Sequence, residues 1–201
     1  MKHDFAPIWF RLPPGFHDIH LGHRSQLEEL TSSTGSSKAE HQVSTLMEQL
    51  EGLAKHHVVH TAIGLHPDKA SGLSASLFSL TVRPMGTSNP RVAVARTGLG
   101  IARSPLWSTS IRQTIDLPSS LPCCLVTGTL SLPGLTGAVF QARITLAHGE
   151  GPHVLVLDLT SASTEHHEEY TAMLEGIAYT VSFADPTPPP PRPSRILEVL
   201  L

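Results

Sequence analysis

The chain has 201 residues, of which 40% are hydrophobic and 15% are charged, and its formal net charge is −3 with histidine neutral. This length suits one domain with a full hydrophobic core, and the apolar content excludes a wholly disordered chain. The slight negative charge excludes the general attraction that draws strongly basic proteins to nucleic acid or to anionic membranes.

The termini and the cysteines indicate a compartment. The N-terminal residues lack the run of about 7–15 apolar residues that a signal peptide carries, and no run elsewhere approaches the roughly 20 that a membrane-spanning helix needs. We therefore expect no membrane insertion. Cys123 and Cys124 are adjacent, and a disulfide between neighbours would be strained and would close almost no loop. Two reduced thiols favour a reducing compartment, so we expect a cytoplasmic protein.

The first part of the chain is predicted to hold an extended segment, a turn and two helices. Residues 5–16 are predicted to be extended and to end in a turn at Leu12-Pro13-Pro14-Gly15-Phe16, where proline presets φ and glycine permits positive φ. A short helix is expected over 24–31. A longer amphipathic helix is predicted over 39–57, because apolar residues recur at steps of three and four: Val43, Leu46, Met47, Leu50, Leu53 and Ala54.

In the middle of the chain the apolar period changes to two. Phe78, Leu80 and Val82 alternate with polar residues, a pattern typical of a strand with one buried face in an antiparallel sheet. The run Val154-Leu155-Val156-Leu157 is apolar on both faces and predicts a central strand. Seven strands are predicted, over 58–65, 73–83, 91–102, 109–117, 123–131, 137–147 and 153–160.

Helical spacing returns over 164–182, where Tyr170, Leu174 and Ile177 share one face. The proline-rich run that follows cannot join a helix or a central strand. We therefore predict an α+β fold, in which an antiparallel sheet of about six or seven strands is flanked by two amphipathic helices as an α/β/α sandwich. Residues 1–185 form a single domain in this interpretation, and residues 186–201 form a Pro-rich C-terminal tail.

The Pro-Pro-Gly-aromatic turn at 12–16, the apolar strand at 154–160 and the helix that ends near Ser182-Phe183 resemble the Mog1/PsbP-like superfamily, in its LpqN-type branch. The resemblance covers residues 8–184 in the order of elements. It implies an α/β/α sandwich and a binding or assembly-assisting role in a bacterial cell. The family shares no catalytic residues that could be carried over to this chain.

Three histidine groups are candidate metal ligands. His56, His57 and His60 are weak candidates, because they share a face only if the helix continues through 60; His17, His20 and His23 are spaced by three in a loop-like segment. His166-His167-Glu168-Glu169 is predicted to be a surface helix, since adjacent helical residues point about 100° apart. We expect no metal, no other cofactor and no catalytic residue; Cys124 is expected to lie in the core.

Charge is unevenly distributed along the chain. Residues 69–115 contain six basic and no acidic residues, whereas residues 144–191 contain seven acidic residues and neither lysine nor arginine. Either the two regions partly neutralise each other inside the fold, or the basic region binds an acidic partner or an anionic ligand through Arg83, Arg96 and Arg112. Nucleic acid is not expected, because only 5% of residues are aromatic. The tail offers a polyproline II ligand at Pro188, Pro191 and Arg192.

These observations favour a non-catalytic, protein-binding accessory protein, of the chaperone or assembly-factor kind, linked to a bacterial secretion or envelope system. The alternative is a small-molecule-binding protein or a cofactor-free, cyclase-like enzyme with a pocket between a helix and the sheet. A metal protein that uses the histidine groups is a third hypothesis. The sequence leaves the partner and the oligomeric state open.

Overall fold

The computed structural model describes residues 5–19, 58–68, 72–131 and 137–185. The helices predicted over 24–31 and 39–57 and the tail 186–201 lie outside these residues. The strands are β1 (Phe16–Asp18), β2 (Val58–Asp68), β3 (Gly72–Pro84), β4 (Trp107–Thr114), β5 (Cys123–Ser131), β6 (Ala138–Ala147) and β7 (His153–Ser161). The helices are α1 (Pro90–Ala102) and α2 (His167–Tyr179), and a short 3-10 turn, Thr164–His166, precedes α2.

The strands form one seven-stranded antiparallel sheet in the order β1-β2-β3-β7-β6-β5-β4. This arrangement confirms the predicted α+β class. Strand β7 lies between β3 and β6, and its Leu159 is paired with Phe78 on one side and Ala142 on the other. The prediction that the doubly apolar run at 154–157 forms a central strand is therefore confirmed.

The two described helices cover opposite faces of the sheet. Successive residues of a strand point to opposite faces, and in β7 Leu155 and Leu157 belong to the core beneath α2, whereas Val154 packs with α1. We call these the α2 face and the α1 face. The α2 face holds the larger apolar core, which includes Leu174 and Ile177 of α2 itself. The result is an α1/sheet/α2 sandwich.

The strand predicted over 91–102 is wrong, because these residues form helix α1. The Asn89 side chain accepts hydrogen bonds from the backbone N–H groups of Arg91, at 3.0 Å, and Val92, at 3.3 Å. Pro90 at the first helical position has a φ angle that suits a helix. The seventh strand is instead β1, in the segment expected to be an extended lead-in.

The turn at residues 13–16 is present, and Gly15 has the positive φ of 91° that favours glycine. A Cβ at this position would also lie 2.8 Å from the Leu65 carbonyl oxygen of β2. Further along the fold, Trp9 and Ser182 exchange two backbone hydrogen bonds, of 2.9 and 2.8 Å. These bonds join the N-terminal lead-in to the segment after α2.

Candidate functional site

Helix α1 lies against β5 through small residues. Ala93 and Val94 pack on Cys124 and Val126. A Cβ atom at Gly98 would lie 2.6 Å from the Cys124 sulfur, a distance that real Cβ atoms essentially never show. Glycine therefore permits the close approach of this helix to the sheet, and this approach shapes the two concave regions beside the helix.

The α1 face carries a set of buried polar side chains beyond the area that α1 packs on. Strands β3, β6 and β7 contribute them, at positions that alternate with the apolar residues of the α2 face. The set comprises Ser79, Thr81, Gln141, Arg143, Thr145, Asp158 and Thr160. Arg143 is half-buried, and each of the others is less than 8% exposed. Burial of polar groups is costly unless they form hydrogen bonds or charge pairs, so the contacts within this set matter.

Two contacts organise the polar set. Gln141 Nε2 donates a hydrogen bond of 2.9 Å to Thr160 Oγ1. The Arg143 guanidinium forms an ion pair with the Asp158 carboxylate. Burial raises the pKa of Asp158, while the positive charges of Arg143 and Arg83 oppose the rise. The α1 face thus holds a buried charge pair, which is costly to desolvate and is tolerated only with a close partner.

A half-enclosed cavity of about 230 Å³ opens over this polar set. Its described lining includes apolar walls from Leu77, Trp107 and Leu130, and polar groups from Gln141 and Asp158. The Trp107 indole N–H donates a hydrogen bond of 2.8 Å to the Ile101 carbonyl oxygen, which fixes the ring at the end of α1. The cavity is smaller than the roughly 300 Å³ at which ligand pockets typically begin.

A larger open groove of about 780 Å³ lies between α1 and the segment from β4 to β5. Its described lining includes Arg91 of α1 and Arg112 of β4, together with Asp116 and Cys124. Arg112 is paired with Val126, a residue of the α1 face, so its side chain points toward that face. The groove is therefore a basic concavity with a single carboxylate in its described lining.

The two thiols are unsuited to nucleophilic chemistry. Burial raises the pKa of Cys123 to about 12, helped by the neighbouring Cys124 and by Glu175. Burial also raises the pKa of Cys124, although Arg112 opposes this rise. Both thiols are free and buried, and both remain protonated at neutral pH, whereas the reactive form is the thiolate.

The structure places the predicted arginines on one side of the sheet. Arg96 is exposed on α1, Arg112 points to the α1 face, and Arg83 is paired with Val154, which packs with α1. The acidic residues of the last helix lie on α2, across the sheet. Between the described parts of the basic and acidic regions, Arg83 lies close enough to the buried Asp158 to lower its pKa. Pro188, Pro191 and Arg192 lie outside the described residues.

The predicted histidine groups are only partly described. His60 Nε2 lies 3.3 Å from Asp18 Oδ1, and its ring packs against Phe10 and Phe78 with centroids 5.1 and 6.2 Å away. His56 and His57 lie outside the described residues, as do His20 and His23. His17 is exposed on β1.

Sequence analysis missed a group of possible metal ligands that the fold assembles. Asp68, Glu165 and His166 each offer one ligand atom, and these atoms lie within 4.8 Å of one another. Asp68 is far from the other two residues in the chain, so no local spacing could have revealed the group.

Comparison with known proteins gives a likeness of fold. No family model matches the chain, and no curated protein matches it. A protein of unknown function from Pseudomonas aeruginosa, PA94, described as a putative regulator, has a TM-score of 0.43 at 17% identity, over 63% of this chain and 84% of that one. LpqN of Mycobacterium tuberculosis, described as involved in cell envelope biogenesis, has a TM-score of 0.51 at 12% identity, over 90% of this chain and 86% of that one.

At such identities the likeness to LpqN concerns the fold alone. It agrees with the α/β/α arrangement that the sequence resemblance implies, and no family model shows membership of the Mog1/PsbP-like superfamily. Among the described residues, neither helix is long and apolar enough to cross a membrane.

Proposed function

We propose that this chain is a non-catalytic accessory protein that binds an acidic polypeptide segment on its α1 face, in the service of a bacterial secretion or envelope system. The observation that carries the proposal is the one-sided distribution of charge. LpqN, which has the same fold, is described as involved in cell envelope biogenesis, and this description supports the cellular context.

The basic side of the molecule is available for a partner. Arg91, Arg96, Arg103 and Arg112 are all exposed, and residues 72–115 contain no Asp or Glu that could compensate them. Guanidinium groups bind carboxylates with two parallel hydrogen bonds, which gives orientation as well as attraction. The 780 Å³ groove between Arg91 and Arg112 provides the concave surface.

The edge of the sheet beside this groove can pair with an extended segment. Among the described strands, β4 is the last one on this side of the sheet, and the Ile115 N–H donates to the Cys123 carbonyl oxygen. Along an antiparallel strand, successive residues point their backbone N–H and C=O groups alternately toward and away from the paired strand. Since those of Ile115 point toward β5, those of Thr114 and Arg112 point away from β5. Ile111 is 68% exposed on this edge. An acidic strand could therefore add to β4 and place its carboxylates near the arginines.

Site-specific photo-crosslinking in the native cell tests this surface. A photo-reactive residue at Ala95 or Gln113, two exposed residues that line the groove, should crosslink one discrete partner protein, and the same residue at Glu168 or Glu169 of α2 should not. Crosslinks of equal yield from both faces, or from α2 alone, would show that the α1 face is not the docking surface.

Charge reversal and truncation separate the two surfaces that the sequence suggested. The crosslink to the partner should be lost in Arg83→Glu/Arg96→Glu/Arg112→Glu and retained in Glu165→Lys/Glu168→Lys/Glu169→Lys. Deletion of residues 186–201 tests the proline-rich tail. If the arginine variant and the deletion both keep the partner, neither surface binds it.

A small-molecule function is the second candidate, and the cavity of about 230 Å³ favours it. Apolar walls with convergent Gln141 and Asp158 are the features of a ligand pocket. Native mass spectrometry of the protein from its own cells should show a discrete added mass. Ser104→Phe, at the mouth of the cavity, should abolish this mass, whereas Ser88→Phe, on an exposed loop, should leave it unchanged. A wild-type protein without added mass contradicts this function.

A cytoplasmic location belongs to the proposal, and the envelope description of LpqN makes the envelope the alternative. Cell fractionation with an antibody to the chain decides between the two, because the partner must be found in the same fraction.

A further inference from the structure

Three potential metal ligands meet at one end of the sheet, far from the α1 face. Asp68 is the last residue of β2, and Glu165 and His166 belong to the 3-10 turn before α2. Their ligand atoms lie within 4.8 Å of one another. Carboxylate oxygens and an imidazole nitrogen are ordinary ligands of Zn²⁺ in proteins.

The backbone around this group is fixed by buried hydrogen bonds. Ser161 at the end of β7 donates a hydrogen bond of 2.7 Å to the Ala75 carbonyl oxygen of β3. The Ser161 oxygen accepts a bond of 3.1 Å from the Ser163 N–H. These bonds tie the 3-10 turn to the β2–β3 hairpin, in which Asp68 is paired with Gly72. The three ligands are therefore held in place by secondary structure on both sides.

The distance between the two inner ligands suits a metal better than a hydrogen bond. His166 Nε2 lies 3.4 Å from Asp68 Oδ1, which is long for an N–H···O bond of about 2.7–3.2 Å. Two ligands bound at about 2.0–2.1 Å in a tetrahedral zinc site are separated by roughly 3.4 Å. The Nε2 atom is inaccessible to solvent and lacks a hydrogen bond within the described residues.

Aromatic packing orients the histidine ring. The His166 ring lies edge-on to Tyr170 with centroids 6.3 Å apart, and the Tyr170 hydroxyl donates a hydrogen bond of 3.0 Å to Ser74 Oγ. Nε2 is thereby directed toward the Asp68 carboxylate, whose side chain is 4% exposed.

We propose that Asp68, Glu165 and His166 bind one divalent cation of the zinc class, with water as the fourth ligand. The ion would clamp the β2–β3 hairpin to the start of α2. Asp68 lies on the α2 face, because it alternates in step with Ala62 along β2, so the site is separate from the proposed docking surface on the α1 face. The sequence analysis considered His166 only with its neighbours in the chain and assigned that segment to a surface helix, so it did not include Asp68.

The competing explanation is a simple ion pair between His166 and Asp68. The two explanations differ in their response to a divalent cation, because a metal site takes up one equivalent of the ion and an ion pair takes up none.

The experiment uses the full chain without a His tag, stripped with EDTA and titrated with Co²⁺ at pH 7.5. Visible absorption reports Co²⁺ coordination, and competition with Zn²⁺ gives the zinc affinity. Wild type should bind one equivalent, and His166→Gln and Asp68→Asn should weaken binding by at least about tenfold. Glu165→Gln should also weaken it, and because Glu165 is exposed this variant tests the site even if Asp68→Asn does not fold.

Two controls separate this site from the other histidines. His167→Gln changes an exposed neighbour on α2, and His56→Gln/His57→Gln changes the pair weighed in the sequence analysis. Both should bind Co²⁺ as wild type does. Unchanged binding in His166→Gln, or equal losses in all histidine variants, would overturn the proposal, as would a wild type that binds no Co²⁺.

Discussion

The two faces of the sheet are built on different principles, although they share the same strands. The α2 face is covered by an almost continuous apolar core, with Leu157, Leu159 and Leu174 at or near complete burial. The α1 face buries Asp158 and Arg143 beside Gln141, and its helix comes close only where Gly98 permits it. The difference indicates that the α2 face provides stability, while polar burial, concavity and basic charge are concentrated on the α1 face.

The largest effect on the free energy of unfolding is expected from a substitution that creates a cavity in the core of the α2 face. Leu174 is 0% exposed in the centre of the core, so Leu174→Ala should lower the free energy of unfolding by about 3–5 kcal/mol. Leu106→Ala, at a residue 44% exposed on the α1 side, is the control and should change it by less than about 1 kcal/mol. Urea denaturation measures both. Similar losses would show that the two sides are equally important to stability.

Disruption of the buried ion pair between Arg143 and Asp158 should have the next largest effect on the free energy of unfolding. Arg143→Met leaves the Asp158 carboxylate without its partner, and loss of about 3 kcal/mol at pH 7 is expected. Burial already raises the pKa of Asp158, and removal of Arg143 raises it further. The folded state then binds a proton more readily than the unfolded state, so the deficit should shrink as the pH falls from 7 toward 5.

The double variant Arg143→Met/Asp158→Leu provides the control for this pair. It replaces both charges with apolar groups and should recover most of the lost stability. If Arg143→Met alone is as stable as wild type, the ion pair does not offset the cost of burying the Asp158 carboxylate.

A substitution that disturbs the packing of α1 on the sheet should change the free energy of unfolding by a smaller amount. Gly98→Ala favours the helix by about 1 kcal/mol, but its methyl group meets the Cys124 sulfur, and a net loss of about 1–2 kcal/mol is expected. In a Cys124→Ala background the sulfur is absent, so the same substitution should be close to neutral. Equal losses in both backgrounds would mean that the contact with Cys124 does not limit the approach of the helix.

Much of the sheet could be predicted from apolar periodicity. Strand β5 has the predicted bounds, and β7 is central as its doubly apolar run indicated. The error at 91–102 arose because Val92 and Val94 mimic a period of two, whereas the decisive signal was local: Asn89 followed by Pro90 is a typical helix start.

The buried polar face could not be predicted in this way. Ser79 lies at a polar position of an alternating strand, which usually indicates a solvated face, yet it is 2% exposed. Periodicity identifies the apolar face of a strand and says nothing of what covers the other face. The group of Asp68 and His166 was missed for a related reason, since contacts distant in sequence leave no local pattern.

The smallest effect is expected from two histidines away from the polar set of the α1 face, the half-buried His66 and the buried His148. Burial lowers the pKa of His66, on the α2 face, and of His148. At His148, Nδ1 accepts a hydrogen bond from the Glu150 N–H at 3.0 Å. Nε2 lies 3.3 Å from the Ala6 carbonyl oxygen, and this contact opposes the lowering of the His148 pKa by burial. His153 disfavours its protonation and Glu150 favours it.

Because these pKa values are lower in the folded state, the unfolded chain binds more protons below its usual histidine pKa of about 6.5. The stability from both residues is therefore present above that pH and is lost as the pH falls, opposite in sign to the effect of Asp158 on the α1 face. Urea denaturation at pH 7.5 and 5.5 should show this loss, and His66→Gln/His148→Gln should reduce the difference between the two pH values. His17→Gln, at an exposed position, is the control. If the double variant keeps the full pH dependence, the loss of stability at low pH arises from other groups. His66 and His148 then do not account for the opposite pH dependence expected of Asp158 on the α1 face.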